Sequence, residues 1–500
     1  MKPFFLWMLL FFLLLFPPLT ISAETPISDA TSECLDCHAS LHPGIVAEWK
    51  KSRHAQVTPG AAASVQGLSR KVSSESVPDA LKTTSVGCAE CHGLRSDAHK
   101  DSFEHNGHTI HVVVSPQDCR TCHSVEAEQY SKNLMSHAYA NLAENALYQK
   151  LELSILGQPT FIKDRIRHER PDAVTREEAC YYCHGTRLSL EGTEKRTTDL
   201  AGELEFPIIR GWPNQGVGRI NLDGSKGACS ACHTRHLFSI ATARKPYTCK
   251  ECHVGPDVPA FKVYEASKHG SLFSSHGSSW EFTNVPWTIG KDFTAPTCAA
   301  CHVSLLVNQD GTVVSERSHQ MSDRLPWRLF GLIYAHPHPK GPDTTSIRNK
   351  EGLPLPTDLN GEFASAHLID EKERLHRTET MQAACLNCHD RSWVNGFWNR
   401  LENTVSKTNS DTRVATQLME KIWGTGLADG KENPFDEAIE KKWSDTWLFY
   451  ANTIRFASAM GGGGDYAVFA DGRYMMAKSL AELADWWAFR RHPILVAPQK

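Results

Sequence analysis

Apolar residues at the start of the chain mark a segment that differs from everything after it. An unbroken apolar run extends from Phe4 to Phe16, after a short basic start and before two prolines. This run of roughly 13 residues is shorter than the ~20 that a membrane-spanning helix needs, and Ile21-Ser22-Ala23 resembles a cleavage site. We therefore expect residues 1–23 to be a cleaved secretory signal peptide and the mature protein to be periplasmic.

Two further patterns of apolar and polar positions follow this segment. Up to residue 394 the apolar stretches are short and irregular, which indicates short helices and loops with little sheet. Apolar positions recur at helical spacing in 434–457 and 474–490, on either side of a break of four glycines. The pattern predicts a mainly α fold, in which residues 24–394 form one domain. Residues 395–500 are expected to form a helical C-terminal domain that serves packing and oligomerisation.

Composition and charge narrow the class of protein. The 500 residues are 41% hydrophobic, which is enough to bury a sizeable core. The formal net charge of −4 is close to balance, whereas a nucleic-acid-binding surface is normally basic. We therefore expect no nucleic-acid partner. The 16 cysteines and 25 histidines are the unusual feature of this composition.

The cysteines follow a single pattern throughout the chain. They form eight Cys-x-x-Cys pairs, each followed directly by a histidine, and no cysteine is left over. The eight motifs are Cys34/Cys37/His38, Cys88/Cys91/His92, Cys119/Cys122/His123, Cys180/Cys183/His184, Cys229/Cys232/His233, Cys249/Cys252/His253, Cys298/Cys301/His302 and Cys385/Cys388/His389.

Three interpretations of paired cysteines compete: a disulfide scaffold, zinc sites and covalent haem attachment. Neither disulfides nor zinc requires histidine at this fixed position, whereas c-type haem attachment does. Since histidine is one residue in 20 of this chain, eight such coincidences have a chance on the order of 10⁻¹⁰. The sequence therefore predicts eight covalently bound haem c groups, with the motif histidines as iron ligands. Haems at this density must themselves fill much of the core.

Seventeen further histidines could supply the second iron ligands. An electron-transfer haem usually has both axial positions filled, whereas a catalytic haem keeps one position open. Several candidates follow an aromatic residue by about one helical turn or lie close to a motif, and one of three histidines before the third motif is expected to serve. The candidates are His54, His137, His236, His269, His319 and His376, together with one of His105, His108 or His111.

The motifs and several local strings resemble the hydroxylamine oxidoreductase family of octahaem cytochromes. Eight haem motifs and a haem-free helical tail fit this family over essentially the whole mature chain. The local strings are Cys229-Ser-Ala-Cys-His-Thr-Arg-His236, Cys249–His253 followed by Gly255-Pro256-Asp257, Ser267-Lys268-His269-Gly270, Thr297-Cys298 and Gly464-Asp465-Tyr466.

The resemblance implies an active site and an assembly. It implies that the fourth haem, the one on His184, is catalytic and open, with Asp257 and His269 as candidates for handling protons. It also implies a homotrimer in which a tyrosine of a neighbouring subunit is joined to that haem, and Tyr466 matches this position, with Tyr474 as the second choice. Related pentahaem nitrite reductases have lysine where this chain has His184, which favours the hydroxylamine oxidoreductase side.

One departure from the family leaves several functions open. The oxidative enzymes have an Asp-His pair where this chain has Asp257-Val258, so the proton relay is incomplete. Hydroxylamine oxidation, with electrons passed to a partner cytochrome or a quinone-linked protein, is the first expectation. Reduction of nitrite or hydroxylamine to ammonium is the alternative. A non-enzymatic electron conduit and a sulfur-compound reductase with a lysine ligand are also open.

Overall fold

A computed structural model of the chain describes residues 24–163, 165–198 and 200–491. Helices account for 47% of it and strands for 12%, in small sheets only. The expected mainly α fold with little sheet is therefore confirmed. The predicted signal peptide, residues 1–23, lies outside the described residues. Within them, every helix is too short or too polar to cross a membrane.

Most helices before residue 390 are short and are separated by loops. Many of them follow a serine, threonine or aspartate, whose side chain can accept a hydrogen bond from a free N–H group of the first turn. Others begin with proline, which has no N–H group to satisfy. The α-helices are Asp29–Leu41, Pro43–Lys51, Arg53–Gln56, Pro59–Ser64, Cys88–His92, Pro116–Cys119, Ser124–Ser131, Ala138–Ala143, Ala146–Leu156, Ala173–Glu178, Cys180–His184, Ser230–His233, Ile240–Arg244, Pro246–Lys250, Ala260–Glu265, Lys268–His276, Cys298–His302, Glu371–Cys385, Arg391–Gly424, Ala438–Asp445, Ala451–Ala459 and Arg473–Arg491. Single turns of 3₁₀ helix lie at Gly67–Ser69, Asp79–Leu81, Ser96–Ala98 and Gly277–Ser279, and π-helical turns at Thr446–Tyr450 and Tyr466–Ala470.

The strands form hairpins and one three-stranded sheet. Neighbouring strands within each sheet are antiparallel, except for one parallel pair in the three-stranded sheet, Trp287–Thr288 with Leu306–Val307. The strands are β1 Phe103–His105, β2 His108–Ile110, β3 Gln158–Ile162, β4 Arg165–Glu169, β5 Ser189–Thr198, β6 Gly202–Arg210, β7 Trp287–Thr288, β8 Leu306–Val307, β9 Val313–Ser315, β10 Trp327–Arg328 and β11 His336–Pro337.

The C-terminal helices have a conventional apolar core. The helix Arg391–Gly424, here called the long helix, begins at Asp390, whose side chain accepts hydrogen bonds from two backbone N–H groups of the first turn. Its buried face packs against later helices around Met419, Ile422 and Trp447, which are all fully buried. The long helix begins directly after the eighth motif and runs without a break through residue 395. The domain boundary predicted between residues 394 and 395 therefore stays a prediction.

This core also reaches the haem-motif region. Tyr334 and Leu355 are buried members of the same cluster, and Tyr148 packs against it from the helix Ala146–Leu156. The C-terminal helices therefore share one apolar cluster with segments of the motif region, and their role as a separate packing domain stays a prediction.

We expect the substitution Met419→Ala to lower the free energy of unfolding by about 2–5 kcal/mol, since the side chain is fully buried and leaves a cavity. The matched control is Val414→Ala, an exposed position on the same helix, which should change it by less than ~0.5 kcal/mol. Thermal unfolding followed by circular dichroism measures both. Equal midpoints for the two variants would contradict the packing described for the long helix.

Candidate functional site

The motifs fold as short helical turns that present all three attachment groups on one side. Cys88–His92, Cys180–His184 and Cys298–His302 are each one such helix. Two cysteines three positions apart lie on one face of a helical turn, and the next residue projects its imidazole beside them. After the fourth motif, Gly185 has φ +88°, and a Cβ there would lie 2.2 Å from the backbone nitrogen of Arg219. Only glycine fits at this position.

A continuous cavity joins most of the motifs. It has a volume of about 2060 Å³ and is lined by residues of motifs two to eight. An ordinary ligand pocket has roughly 300–1,000 Å³, so the cavity has room for several large planar groups. All sixteen cysteines are free thiols. Buried ring nitrogens of His54, His105 and His319 have no hydrogen-bond partner among the described residues. The side chains present therefore fit covalently bound haem.

The first motif differs from the expectation of one shared haem-filled core. Every other motif contributes at least one cysteine to the lining of the cavity, whereas Cys34 and Cys37 lie outside it. Both are only half-buried, and the Cys37 backbone carbonyl accepts a hydrogen bond of 2.9 Å from the Ser40 hydroxyl. The physical reason is their position on the first described helix, Asp29–Leu41, which buries only Thr31. Attachment of a haem at Cys37 therefore rests on its motif and stays a prediction.

Contacts between thiols of different motifs show which haem sites are neighbours. Motifs one and two, three and five, four and six, and six and seven touch directly through a cysteine of each. Motifs two and three, five and six, and seven and eight are close enough for their cysteines to interact electrostatically. Among the described residues, these thiol contacts link the motifs in the order one, two, three, five, six, seven and eight, and link the fourth motif to the sixth. The touching pairs are Cys34–Cys88, Cys119–Cys229, Cys183–Cys252 and Cys249–Cys298, and the electrostatic pairs are Cys91–Cys122, Cys232–Cys249 and Cys301–Cys385.

Five motif histidines face a second imidazole at a uniform distance. The ring centroids lie about 6 Å apart, which leaves space for one metal ion at about 2 Å from a nitrogen of each ring. These pairs are His38–His105 at 6.1 Å, His92–His111 at 6.1 Å, His123–His54 at 6.3 Å, His233–His319 at 6.3 Å and His389–His269 at 6.2 Å.

The remaining predicted second ligands have different surroundings. Burial, together with electrostatic repulsion by the second-motif histidine His92, lowers the pKa of His236 to about 4. His236 therefore lies near the second motif. His108 contacts the Glu33 carboxylate at 2.7 Å, and His137 lies 3.2 Å from the Ser131 carbonyl. Their ligand roles stay predictions, as does that of His376, which is exposed.

The fourth motif has a different environment. One ring nitrogen of His184 lies 3.2 Å from the carbonyl oxygen of Ala138, which orients the ring. Burial lowers the pKa of His184, so the ring is held neutral, as a metal ligand must be. Two charged side chains also shift this pKa by electrostatic interaction: Asp257 raises it and Arg328 lowers it. Both line the cavity together with Tyr148, whose pKa burial raises.

Secondary structure brings these three side chains together from distant parts of the chain. Tyr148 lies in the first turn of its helix, after the Asn145 cap, and Arg328 lies on β10, opposite His336 on β11. The main-chain carbonyl of Asp257 accepts a hydrogen bond of 2.8 Å from the Asn452 amide. Sequence reasoning found Asp257 but missed Tyr148 and Arg328, because neither belongs to a recognisable local pattern.

Two further residues named for catalysis have other contacts. His269 faces His389 at the eighth motif, so its part in catalysis stays a prediction. Tyr466 packs against the same small apolar cluster as Val258 and Leu329, and its hydroxyl donates to the Asp471 carboxylate at 3.3 Å. Tyr474 is exposed. A bond between either tyrosine and a haem stays a prediction.

Comparison with known proteins supports the haem interpretation. The family model described as "Seven times multi-haem cytochrome CxxCH" matches residues 214–327, and "Cytochrome c554 and c-prime" matches residues 118–203. A solved structure described as a "Hypothetical multiheme protein" is 38% identical, with a TM-score of 0.87. The match covers 94% of this chain and 98% of that protein. The chain is a multihaem c-type cytochrome.

Two relatives of this cytochrome are more distant. A probable nitrite reductase-hydroxylamine oxidoreductase fusion protein of Kuenenia stuttgartiensis is 27% identical over 287 residues, which are 54% of this chain. The match spans only 25% of the length of that relative. A reducing HAO-like protein complex of the same organism has a TM-score of 0.58 at 18% identity, over 93% of this chain and 85% of that one. This second likeness concerns the fold alone.

Two histidines of the β1–β2 hairpin provide a matched test of the ligand geometry. We expect His105→Ala to open the first haem, so that one additional iron per chain binds carbon monoxide. His108→Ala should leave the number of accessible irons unchanged, because His108 contacts Glu33 and not a motif histidine. Absorbance titration of the reduced protein with carbon monoxide measures this number. An additional accessible iron in the His108 variant alone would reverse the assignment.

Proposed function

We propose that this cytochrome is an oxidoreductase that acts on small nitrogen compounds at its fourth haem site. The observation that carries the proposal is the group of Tyr148, Asp257 and Arg328 near His184, in a chain where five other motif histidines face an imidazole. The names of the Kuenenia relatives, nitrite reductase and hydroxylamine oxidoreductase, support the substrate class.

A haem bound at this motif would supply an iron that can bind a nitrogen compound and exchange electrons with it. The side chains of the chain supply the rest. The Arg328 guanidinium offers fixed donors to an anionic substrate. The Asp257 carboxylate and the Tyr148 hydroxyl line the same cavity and can hold or move protons at the substrate. Leu329, Leu448 and other apolar residues line the cavity as well and limit the access of water.

Reduction is the direction that this geometry supports best. Nitrite is an anion, and a guanidinium beside the fourth motif favours its binding. Val258 follows Asp257 where the oxidative enzymes have histidine, so this chain lacks a base that hydroxylamine oxidation would use. Nitrite reduction consumes protons, which Asp257 and Tyr148 can deliver one at a time as electrons arrive.

Hydroxylamine oxidation is the second candidate. It is favoured by Asp257 itself, whose carboxylate can accept protons from a nitrogen-bound substrate. The number of eight haems, a homotrimer, the link between Tyr466 and a haem and a periplasmic location belong to the same proposal. So does a redox partner, either a cytochrome or a quinone-linked protein.

A paired turnover assay on purified, haem-loaded protein tests the function. One arm supplies nitrite and a strongly reducing dye, and the other supplies hydroxylamine and an oxidising acceptor dye. We expect turnover mainly in the first arm. Turnover in the second arm alone would establish an oxidase. Silence in both arms, with no iron able to bind an external ligand, would leave an electron conduit. If both arms are silent, a third arm with tetrathionate and the reducing dye distinguishes a sulfur-compound reductase, which would turn over tetrathionate alone.

Arg328→Gln tests the anion-binding role. Loss of a hydrogen bond to a charged group costs about 1.5–3 kcal/mol, so the KM for nitrite should rise about 10- to 100-fold. The KM for neutral hydroxylamine should change little. The control is Arg400→Gln, at an exposed arginine on the long helix, and should behave like the wild type. An equal fall in the turnover rate with both substrates, together with an unchanged KM for nitrite, would contradict this role.

A further inference from the structure

Three cationic side chains, here called the cation cluster, come together in the cavity near the third motif. They are Arg53, Lys71 and Arg244, which belong to distant segments of the chain and all line the cavity. Burial lowers the pKa of Lys71, and repulsion by Arg53 and Arg244 lowers it as well. The three positive charges therefore lie close enough together to act on one another.

Two members of the cation cluster are fastened to the same short segment. Nζ of Lys71 donates to the carbonyl of Thr283 at 3.4 Å. Nη1 of Arg244 donates to the carbonyls of Phe282 at 2.9 Å and of Asn284 at 2.6 Å. Consecutive carbonyl groups thus hold the two cations side by side. Both bonds of Arg244 use one nitrogen, so the rest of this guanidinium, a group with five N–H donors, can bind a further acceptor.

The protein itself does not balance these charges. Among the described residues, none of the three cations forms an ion pair with a carboxylate. Asp292 and Glu281 act on Arg244 electrostatically, but they accept hydrogen bonds from the N–H groups of Thr288 and Thr283, at 2.7 and 2.6 Å. Arg244 is only 6% exposed, and a buried cation is costly unless it is paired. An anion beside the cluster would remove this cost.

The third haem site lies directly beside the cation cluster. The motif histidine His123 faces His54, with the ring centroids 6.3 Å apart. The main chain of Lys71 hydrogen-bonds the ring of His123, and Arg53 directly precedes His54 in the sequence. One member of the cluster therefore adjoins each of the two imidazoles between which a haem of the third motif would be bound.

We propose that the cation cluster binds the propionate carboxylates of the haem at the third motif. Each haem carries two propionates, and carboxylates form their strongest hydrogen bonds with guanidinium and ammonium groups. The side chains of the cavity already fit haem, so the proposal needs no further component. A free oxyanion such as phosphate would use the same donors, and an experiment must separate these two sources of negative charge.

This arrangement has a consequence for electron transfer. A haem gains one negative charge when its iron is reduced, so positive charge beside it favours the reduced form. The cation cluster therefore raises the reduction potential of the third haem, which depends on such surroundings as well as on the axial ligands. The proposal is independent of the nitrogen chemistry proposed at the fourth motif.

Redox-difference infrared spectroscopy of the full-length, haem-loaded protein tests the ligand. Cells supplied with δ-aminolevulinic acid that carries heavy carbon in its carboxyl group produce haem labelled at the propionate carboxylates. Lys71→Gln and Arg244→Gln should each shift a labelled carboxylate band, because a carboxylate that loses its cationic partner vibrates at another frequency. The matched control is Lys50→Gln, at an exposed lysine of the helix Pro43–Lys51, which should leave the labelled bands in place.

Potentiometric titration and dialysis complete the test. Both cluster variants should lower the reduction potential of one haem and leave the others unchanged. Lys71 is only half-buried, so Lys71→Gln serves alone if the buried Arg244 variant fails to fold. Labelled bands that stay unchanged in Lys71→Gln would overturn the proposal. So would inorganic phosphate that binds the wild type in equilibrium dialysis and not Lys71→Gln, because a free anion would then occupy the cluster.

Discussion

The structure depends on one repeated constraint, the attachment of a planar group to the backbone by two cysteines and an adjacent histidine. Each Cys-x-x-Cys-His turn fixes where such a group starts and which way its iron ligand points. About 60 residues serve each motif, which is too few to enclose the motif in an ordinary apolar core. The largest apolar cluster accordingly lies among the C-terminal helices, whereas the motif region surrounds a continuous cavity of about 2060 Å³.

The second imidazoles turn this local constraint into a tertiary one. His54 faces His123, and His269 faces His389, across long stretches of sequence. An iron between two such rings joins the ends of a long loop, much as a disulfide does. The conformational entropy of closing the loop grows only slowly with its length. Short helices can therefore be held in place where the apolar clusters before the long helix, such as the one around Trp287 and Phe293, do not reach them.

Sequence reasoning succeeded where the information is local. Each motif is contained in five consecutive residues, so the attachment sites needed no knowledge of the fold. The choice among His105, His108 and His111 was not local. Asn106 and Gly107 both have positive φ, as a tight hairpin turn requires, and the register places His105 opposite His108. The hairpin itself was within reach of the sequence, but which histidine meets the first motif depends on how the hairpin docks.

The surroundings of the fourth motif show the same limit. Asp257 was found because it follows the sixth motif within a recognisable string, whereas Tyr148 and Arg328 come from segments with no pattern of their own. The packing of the C-terminal helices brings them into one cavity, and Asn452 holds the Asp257 backbone from those helices. The connection through Cys183 and Cys252 has a further consequence for the proposed function. Since a thiol of the fourth motif touches one of the sixth, a haem at the sixth motif would be a direct neighbour of the proposed substrate site. Its potential therefore affects both directions of the reaction, and the side chains of the fourth site decide which substrate is bound.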